Sequence, residues 1–391
     1  MRGWWWHRQG LDGSLSGAAP SEVLARTGWA RSVGGANPYL TLFARAGTGR
    51  AAVDAAVAAL DIYELPAARG CTYVVPSQHF GLALEVGRGA PEADLRTLAK
   101  LGVDRTEIEK LCGEVLAALE RAPQLDPAAL KDVLGDAVRN LGDEGRKRGL
   151  STTLPAALGL LQAAGEIRRV PANGRLDNQR YAYARWQPPR SGLTEAEARS
   201  ELARQYFDWI GPASLGHFRW FSAFSAAYAK AAVAPLDLVE VDGGLLASPA
   251  VAAEYERFRA PAKPQYALLA GIDALVLLRR DHHALLDEAD AARSVPGDKQ
   301  SLGEQADLPD HPIVDRSRIV GLWQYDADAG RLVWWLFAGG KPDRALAGVL
   351  DRTEAYIRDE LGDARSFSLD SPKSRAPRVA ALSTASGRSR A

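Results

Sequence analysis

A pattern of short helices followed by a pair of extended runs recurs three times in the first two thirds of this sequence, and it leaves few folds open. The clearest copy lies between Asp126 and Trp186. Asp126 and Pro127 read as the N-cap and first helical residue of a helix over 127–134. Ser151-Thr152-Thr153 then caps a second helix, in which Leu154, Leu158, Leu161 and Ala164 recur at helical spacing and share one buried face. Gly165 stops it. Residues 167–170 and 181–186 are extended runs, and Asn173-Gly174 between them is a hairpin signal. Helix, turn, helix and two-stranded wing define a winged-helix module.

The other copies follow the same order. The later one places helices over 194–210, 215–222 and 226–233, then runs 236–241 and 245–248 about an Asp242-Gly243-Gly244 turn. The first is looser, with helices near 21–27, 38–45 and 50–60 and wing strands at 62–65 and 71–75. Beyond Gln265 the pattern changes. Residues 266–278, 318–324 and 332–337 are β-compatible runs, with a turn at 326–330 and a closing helix over 342–361. The expected class is therefore α+β: three tandem winged-helix modules over 1–95, 96–190 and 191–260, then a β-rich, small-barrel-like domain over 261–365. Residues 366–391 are Ser-, Ala- and Pro-rich, and the stretch from Ser371 carries Lys373, Arg375, Arg378, Arg388 and Arg390 without an acid; it reads as a disordered basic tail.

Charge separates the classes of partner. The 48 basic and 48 acidic residues cancel, which excludes a histone-like polycation. The balance breaks locally. From Gly145 to Trp186 eight basic residues face two acidic ones, and Arg146, Lys147, Arg148, Arg168, Arg169, Arg175 and Arg180 fall beside the second helix or on the wing. Such a surface suits the phosphates of double-stranded DNA. A solvated face on a protein-binding module is the competing reading. No apolar run is long enough to span a membrane. The two cysteines, Cys71 and Cys112, build neither a disulfide framework nor a zinc site. A monomeric, cytoplasmic, nucleoid-associated protein without metal or cofactor is expected. Asp281-His282-His283 is a poor metal motif, because adjacent strand residues point to opposite faces. The Gly/Ser loops lack a P-loop lysine, so no nucleotide cofactor is expected. The run Trp4-Trp5-Trp6 reads first as packing anchors and second as base-stacking platforms.

Several segments together resemble the AlkZ/YcaQ-like winged-helix DNA glycosylases. Gly28-Trp29-Ala30-Arg31-Ser32-Val33 with Pro38-Tyr39-Leu40-Thr41-Leu42-Phe43-Ala44-Arg45 resembles the N-terminal signature of that family, and Arg69-Gly70-Cys71-Thr72-Tyr73 its following strand. Gly211-Pro212-Ala213-Ser214 with Trp220-Phe221-Ser222 is similar to its third winged helix, and Val320-Gly321-Leu322-Trp323 to its barrel strand. The resemblance implies a concave surface for duplex DNA, and repair by removal of bulky alkylated purines and unhooking of interstrand crosslinks.

The resemblance fails at one place that bears on chemistry. The family carries Gln-x-Gln or Gln-x-Asp where this chain has Arg31, Ser32 and Val33. Departure of a cationic purine leaves an oxocarbenium-like sugar, which calls for a carbonyl or carboxylate that also orients water. Arg31 has only donors and a fixed positive charge, and Val33 has no polar side-chain atom. An arginine there suits a phosphate instead. Three readings follow: a duplex-binding repair protein with an altered or lost site, an active N-glycosylase using Arg31, Ser32 or an unplaced acid, and a winged-helix transcriptional regulator. Asp12 and Asp61 are acids that sequence cannot place, and Asn37 and Tyr39 are candidates for contact with DNA.

Overall fold

The structure, a computed structural model, describes residues 1–178 and 180–385. Its first unit has helices Pro20–Thr27, Asn37–Ala46 and Arg50–Ala58 beside three short strands, β1 (Ala30–Arg31), β2 (Ile62–Pro66) and β3 (Thr72–Pro76). They pair antiparallel in the order β1-β3-β2. Val74 lies opposite both Ala30 and Glu64, while Tyr73 lies opposite Arg31 and Leu65. Because side chains alternate across a strand, Glu64 and Arg31 emerge on opposite faces of this sheet.

The second unit follows the sequence reading closely. Asp126 accepts from Ala129 N and Pro127 opens the helix to Leu134. Leu154–Ala163 is helical, and β4 (Ile167–Pro171) pairs with β5 (Tyr181–Arg185). The connection between them spans 172–180, longer than the two-residue turn that Asn173-Gly174 suggests. This unit keeps its own core, built on Leu98, Ile108, Leu111, Leu158 and Leu161. The Tyr63 hydroxyl of β2 donates to the Arg169 carbonyl of β4 and so ties the two units.

In the third unit, Thr194 and Glu197 form a reciprocal cap on the helix Glu195–Ile210. Helices Leu215–Ser222 and Ala226–Val233 follow, then the hairpin of β6 (Val239–Val241) and β7 (Leu245–Ala247). A continuous core links this unit to the first and to the C-terminal region through Trp29, Tyr39, Tyr206, Phe207 and Trp323.

The C-terminal region is less β-rich than expected. Its strands β8 (Tyr266–Leu268), β9 (His311–Asp315), β10 (Arg318–Asp326) and β11 (Arg331–Leu336) form one antiparallel sheet in the order β11-β10-β9-β8. No pairing joins β11 to β8 among the described residues, so the sheet stays open and is not a barrel. The run 266–278 is not one strand. Asp273 caps a short helix, Ala274–Leu277, and its carboxylate meets the Arg45 guanidinium at 2.8 Å with both side chains fully buried. That buried pair overrides the β propensity of the run.

The expected disordered tail is also corrected. Pro372–Ala385 is a helix with Val379 and Leu382 buried. It is fastened by Arg375 to Asp363 at 2.7 Å and by Arg378 to Asp310. Arg375 and Arg378, read from the sequence as part of that basic tail, thus have carboxylate partners. Arg388 and Arg390 lie outside the described residues. At the other terminus Trp4, Trp5 and Trp6 are buried, and their indole N–H groups donate to Gly211 O, Pro212 O and Gln265 Oε1. They are packing anchors. No described helix is long and apolar enough to cross a membrane.

Candidate functional site

The tripeptide Arg31-Ser32-Val33 leads from β1 into the helix Asn37–Ala46. Ser32 continues the sheet, its N–H donating to Thr72 O at 3.0 Å. Alternation turns the Ser32 hydroxyl to the face that carries Glu64, and it donates to that carboxylate. Glu64 is only 6% exposed. Tyr181 adds a second hydrogen bond from β5, and the Arg169 guanidinium lies near enough to attract the charge. Burial pushes the Glu64 carboxyl above the usual carboxylate range, while Ser32, Arg169 and Tyr181 pull it partly back. The Arg169 guanidinium stands 5.0 Å from the Tyr181 ring, and its Nε is buried without a hydrogen-bond partner. These groups line a cavity of about 590 Å³ together with Arg31, Val33 and the segment 367–370.

Arg31 is differently engaged. Its guanidinium donates to Thr72 O at 2.7 Å and sits 5.5 Å from the Tyr73 ring. It also borders a second cavity of about 630 Å³, where Arg69 lies over Trp220 at 4.7 Å. The cationic side chain at the displaced glutamine position thus joins the two hollows, and a carboxylate from another strand occupies one of them.

The other sequence candidates divide clearly. Asn37 is buried and donates to Arg31 O at 2.7 Å. Tyr39 is buried, donating to Asp54 at 2.6 Å and accepting from Leu176 N at 2.9 Å. Both hold the fold around the site, and neither is exposed for contact with DNA. Arg175 is taken up by Asp177 and by Leu361 O at 2.8 Å. Arg146 pairs with Asp143, and Lys147 with Glu144 at 2.7 Å, though both remain exposed. Arg148 and Arg180 are exposed and Arg168 is half-buried. Arg169 faces the Glu64 cavity and not the solvent side of a wing. Asp12 pairs with His7 at 2.6 Å and Asp61 is exposed, and neither lines the two cavities that Arg31 borders.

His282 bonds to Leu302 O at 3.2 Å and stacks on His283. No group of three or more metal-ligating side chains converges among the described residues. Glu64 is the functional candidate that sequence reasoning missed. Its signal was an acid inside the apolar run Ile62-Tyr63-Glu64-Leu65, a position where a charge is buried.

Residues 28–367 match the family described as DNA glycosylase AlkZ-like, and the chain belongs to that family. Among solved structures it is similar to the Streptomyces sahachiroi DNA glycosylase AlkZ, with a TM-score of 0.70 and 20% identity over 93% of this chain and 96% of that one. At that identity the likeness speaks for the fold. No curated protein matches the sequence.

Proposed function

We propose that this protein binds damaged duplex DNA and hydrolyses the N-glycosyl bond of an alkylated purine, with Glu64 replacing the glutamine or aspartate of its family. The observation that carries this reading is the buried Glu64 carboxyl held by Ser32 at the wall of a cavity of about 590 Å³. Membership of the AlkZ-like family and the overall likeness to AlkZ support the DNA-directed part. The three helix-and-hairpin units are read here as winged helices, with Arg148, Arg168 and Arg180 as phosphate contacts and the protein working as a monomer in the nucleoid.

The chemistry needs little acid assistance. When the C1′–N9 bond of an N7-alkylated purine breaks, the bonding pair goes to the base and a cationic leaving group departs neutral. The positive charge then develops on the sugar. An ionised Glu64 stabilises that charge and accepts a proton from the water that attacks C1′. A carboxyl raised toward neutrality is a better base than an ordinary one, provided it is ionised at the working pH. Arg31, turned to Thr72 and Tyr73 and opening on both cavities, is suited to a flanking phosphate.

A second reading has its own support. Val33 offers no polar atom and Arg31 is a cation, so the pair cannot do what two glutamines do. The protein would then recognise lesions without excising them. A duplex carrying N7-methylguanine separates the readings. Release of free 7-methylguanine, with an alkali-labile site left behind, supports hydrolysis. Tight binding without release supports recognition alone, and absence of duplex affinity even at low salt removes both.

A further inference from the structure

Between the helix Arg344–Tyr356 and the helix Pro372–Ala385 the chain passes over the Arg31–Ala36 loop. The backbone of this strap is tethered at several points. Ala36 N donates to Arg365 O at 2.9 Å, and Ser368 N donates to Val33 O at 3.0 Å. The Arg365 guanidinium donates to Gly34 O at 3.1 Å and Asp177 O at 2.5 Å. Gly35 lies so close beneath that a Cβ there would stand 2.2 Å from Ser366 O. The strap then closes on itself, with Phe367 N donating to Asp370 at 2.9 Å.

What this anchored backbone presents to solvent is apolar. Phe367 is 46% exposed and Leu369 is 91% exposed, the latter the most exposed large hydrophobic side chain described. Leu369 borders the Glu64 cavity, and Phe367 borders both that cavity and the one lined by Trp220. A leucine left almost wholly in water on a fixed backbone loses the benefit of burial unless a partner covers it. The surroundings narrow the partner: the Trp220 hollow is lined by Arg31, Arg69, Arg280, Arg375 and Arg378 against Asp307, Asp310 and Asp370, an excess of positive charge, and Arg31 and Arg169 face Glu64 and Asp370 in the other. Apolar tips set among guanidinium groups fit a surface that is anionic outside and apolar between its layers. Stacked bases flanked by phosphates have that character.

We infer that Phe367 and Leu369 form a wedge that enters the base stack of a duplex next to the damaged nucleotide, while that nucleotide turns into the Glu64 cavity. This rests on the DNA-binding reading given above. The wedge fills the space the extruded base leaves and keeps the stack from closing, so the two side chains position the substrate and take no part in bond cleavage. Unstacking is the step they drive, and phosphate contacts supply most of the affinity.

The test uses the full chain and a duplex with 2-aminopurine beside N7-methylguanine, whose fluorescence rises when the base unstacks. The wild-type protein is expected to raise the signal several-fold on binding. Replacing both side chains, Phe367→Ser with Leu369→Ser, should abolish most of that rise while leaving the slope of log affinity against log salt unchanged, because the phosphate contacts remain. An equal rise with the double variant overturns the wedge and leaves DNA binding standing. Wild-type protein that does not bind the duplex overturns the DNA-binding reading and the wedge with it. Sedimentation of the free proteins closes the remaining route: a dimer that the double substitution dissociates would show the pair covering a second copy, and the wedge is then wrong.

Discussion

The Ser32 hydroxyl donates to the Glu64 carboxylate across a sheet in which neither residue's strand pairs directly with the other's. β3 lies between, and alternation along β1 and β2 puts both side chains on one face. The middle residue of the family's altered tripeptide therefore holds an acid supplied some thirty residues downstream.

Glu64→Leu keeps roughly the side-chain volume but removes both the base and any carbonyl that could orient water. Release of 7-methylguanine should fall by about 10²- to 10⁴-fold in single-turnover assays. Duplex affinity, measured by fluorescence anisotropy, should change little.

The raised Glu64 carboxyl sets the sign of two pH effects. The excision rate should rise with pH through the folded-state pKa and then level off, because the ionised form acts. Ser32→Ala removes a donor that favours the ionised form, so it should move the rise to higher pH. In stability the sense is opposite. A carboxyl whose folded pKa lies above its unfolded value stabilises below the unfolded pKa, about 4.3, and that contribution is lost as pH rises through the folded pKa. Glu64→Gln should therefore gain stability relative to wild type between acid and neutral pH, by on the order of 1 kcal/mol or more for one pKa unit. Chemical denaturation at the two ends of that range checks it.

Arg45 and Asp273 fasten the helix that follows the tripeptide to the C-terminal region, with Gln9 accepting from Arg45 at 2.8 Å and Thr41 donating to Asp273 at 3.0 Å. Asp273→Ala should destabilise by about 3–5 kcal/mol, because it strands a buried guanidinium. Arg45→Met with Asp273→Leu should recover much of that loss in the same denaturation experiment.

Reversing Arg168 and Arg180 to Glu should weaken binding to all duplexes alike, since phosphate contacts do not report sequence. The slope of log affinity against log salt should become shallower by about 0.9 for each phosphate that is no longer neutralised. A weakening confined to one sequence would contradict the assignment. Arg169→Glu belongs to a different experiment, because it places a second carboxyl beside Glu64 and should lower excision more than binding.

Local signals in this sequence were readable wherever capping chemistry and helical spacing agreed. Asp126-Pro127 and Thr194 begin helices where their side chains dictate, and Leu154, Leu158 and Leu161 mark a buried face. Long-range pairings were not readable. Nothing near Asp273 foretells Arg45, and nothing near Arg375 foretells Asp363, yet with these pairs the end of an expected strand is a short capped helix and an expected tail is a helix. The site shows the same division. The altered tripeptide was visible as Arg31-Ser32-Val33, but its acid comes from another strand. Sequence separation hid Glu64, and the inward turn of Arg169 and burial of Asn37 and Tyr39 depended on that same tertiary packing.

The most direct test compares wild type and Glu64→Leu in single-turnover release of 7-methylguanine from duplex DNA, with binding measured on the same samples. Wild type is expected to release the base, and the variant to lose nearly all release at unchanged affinity. Undiminished release by Glu64→Leu, or a wild-type protein that binds the lesion tightly and never frees the base, would contradict this role of Glu64.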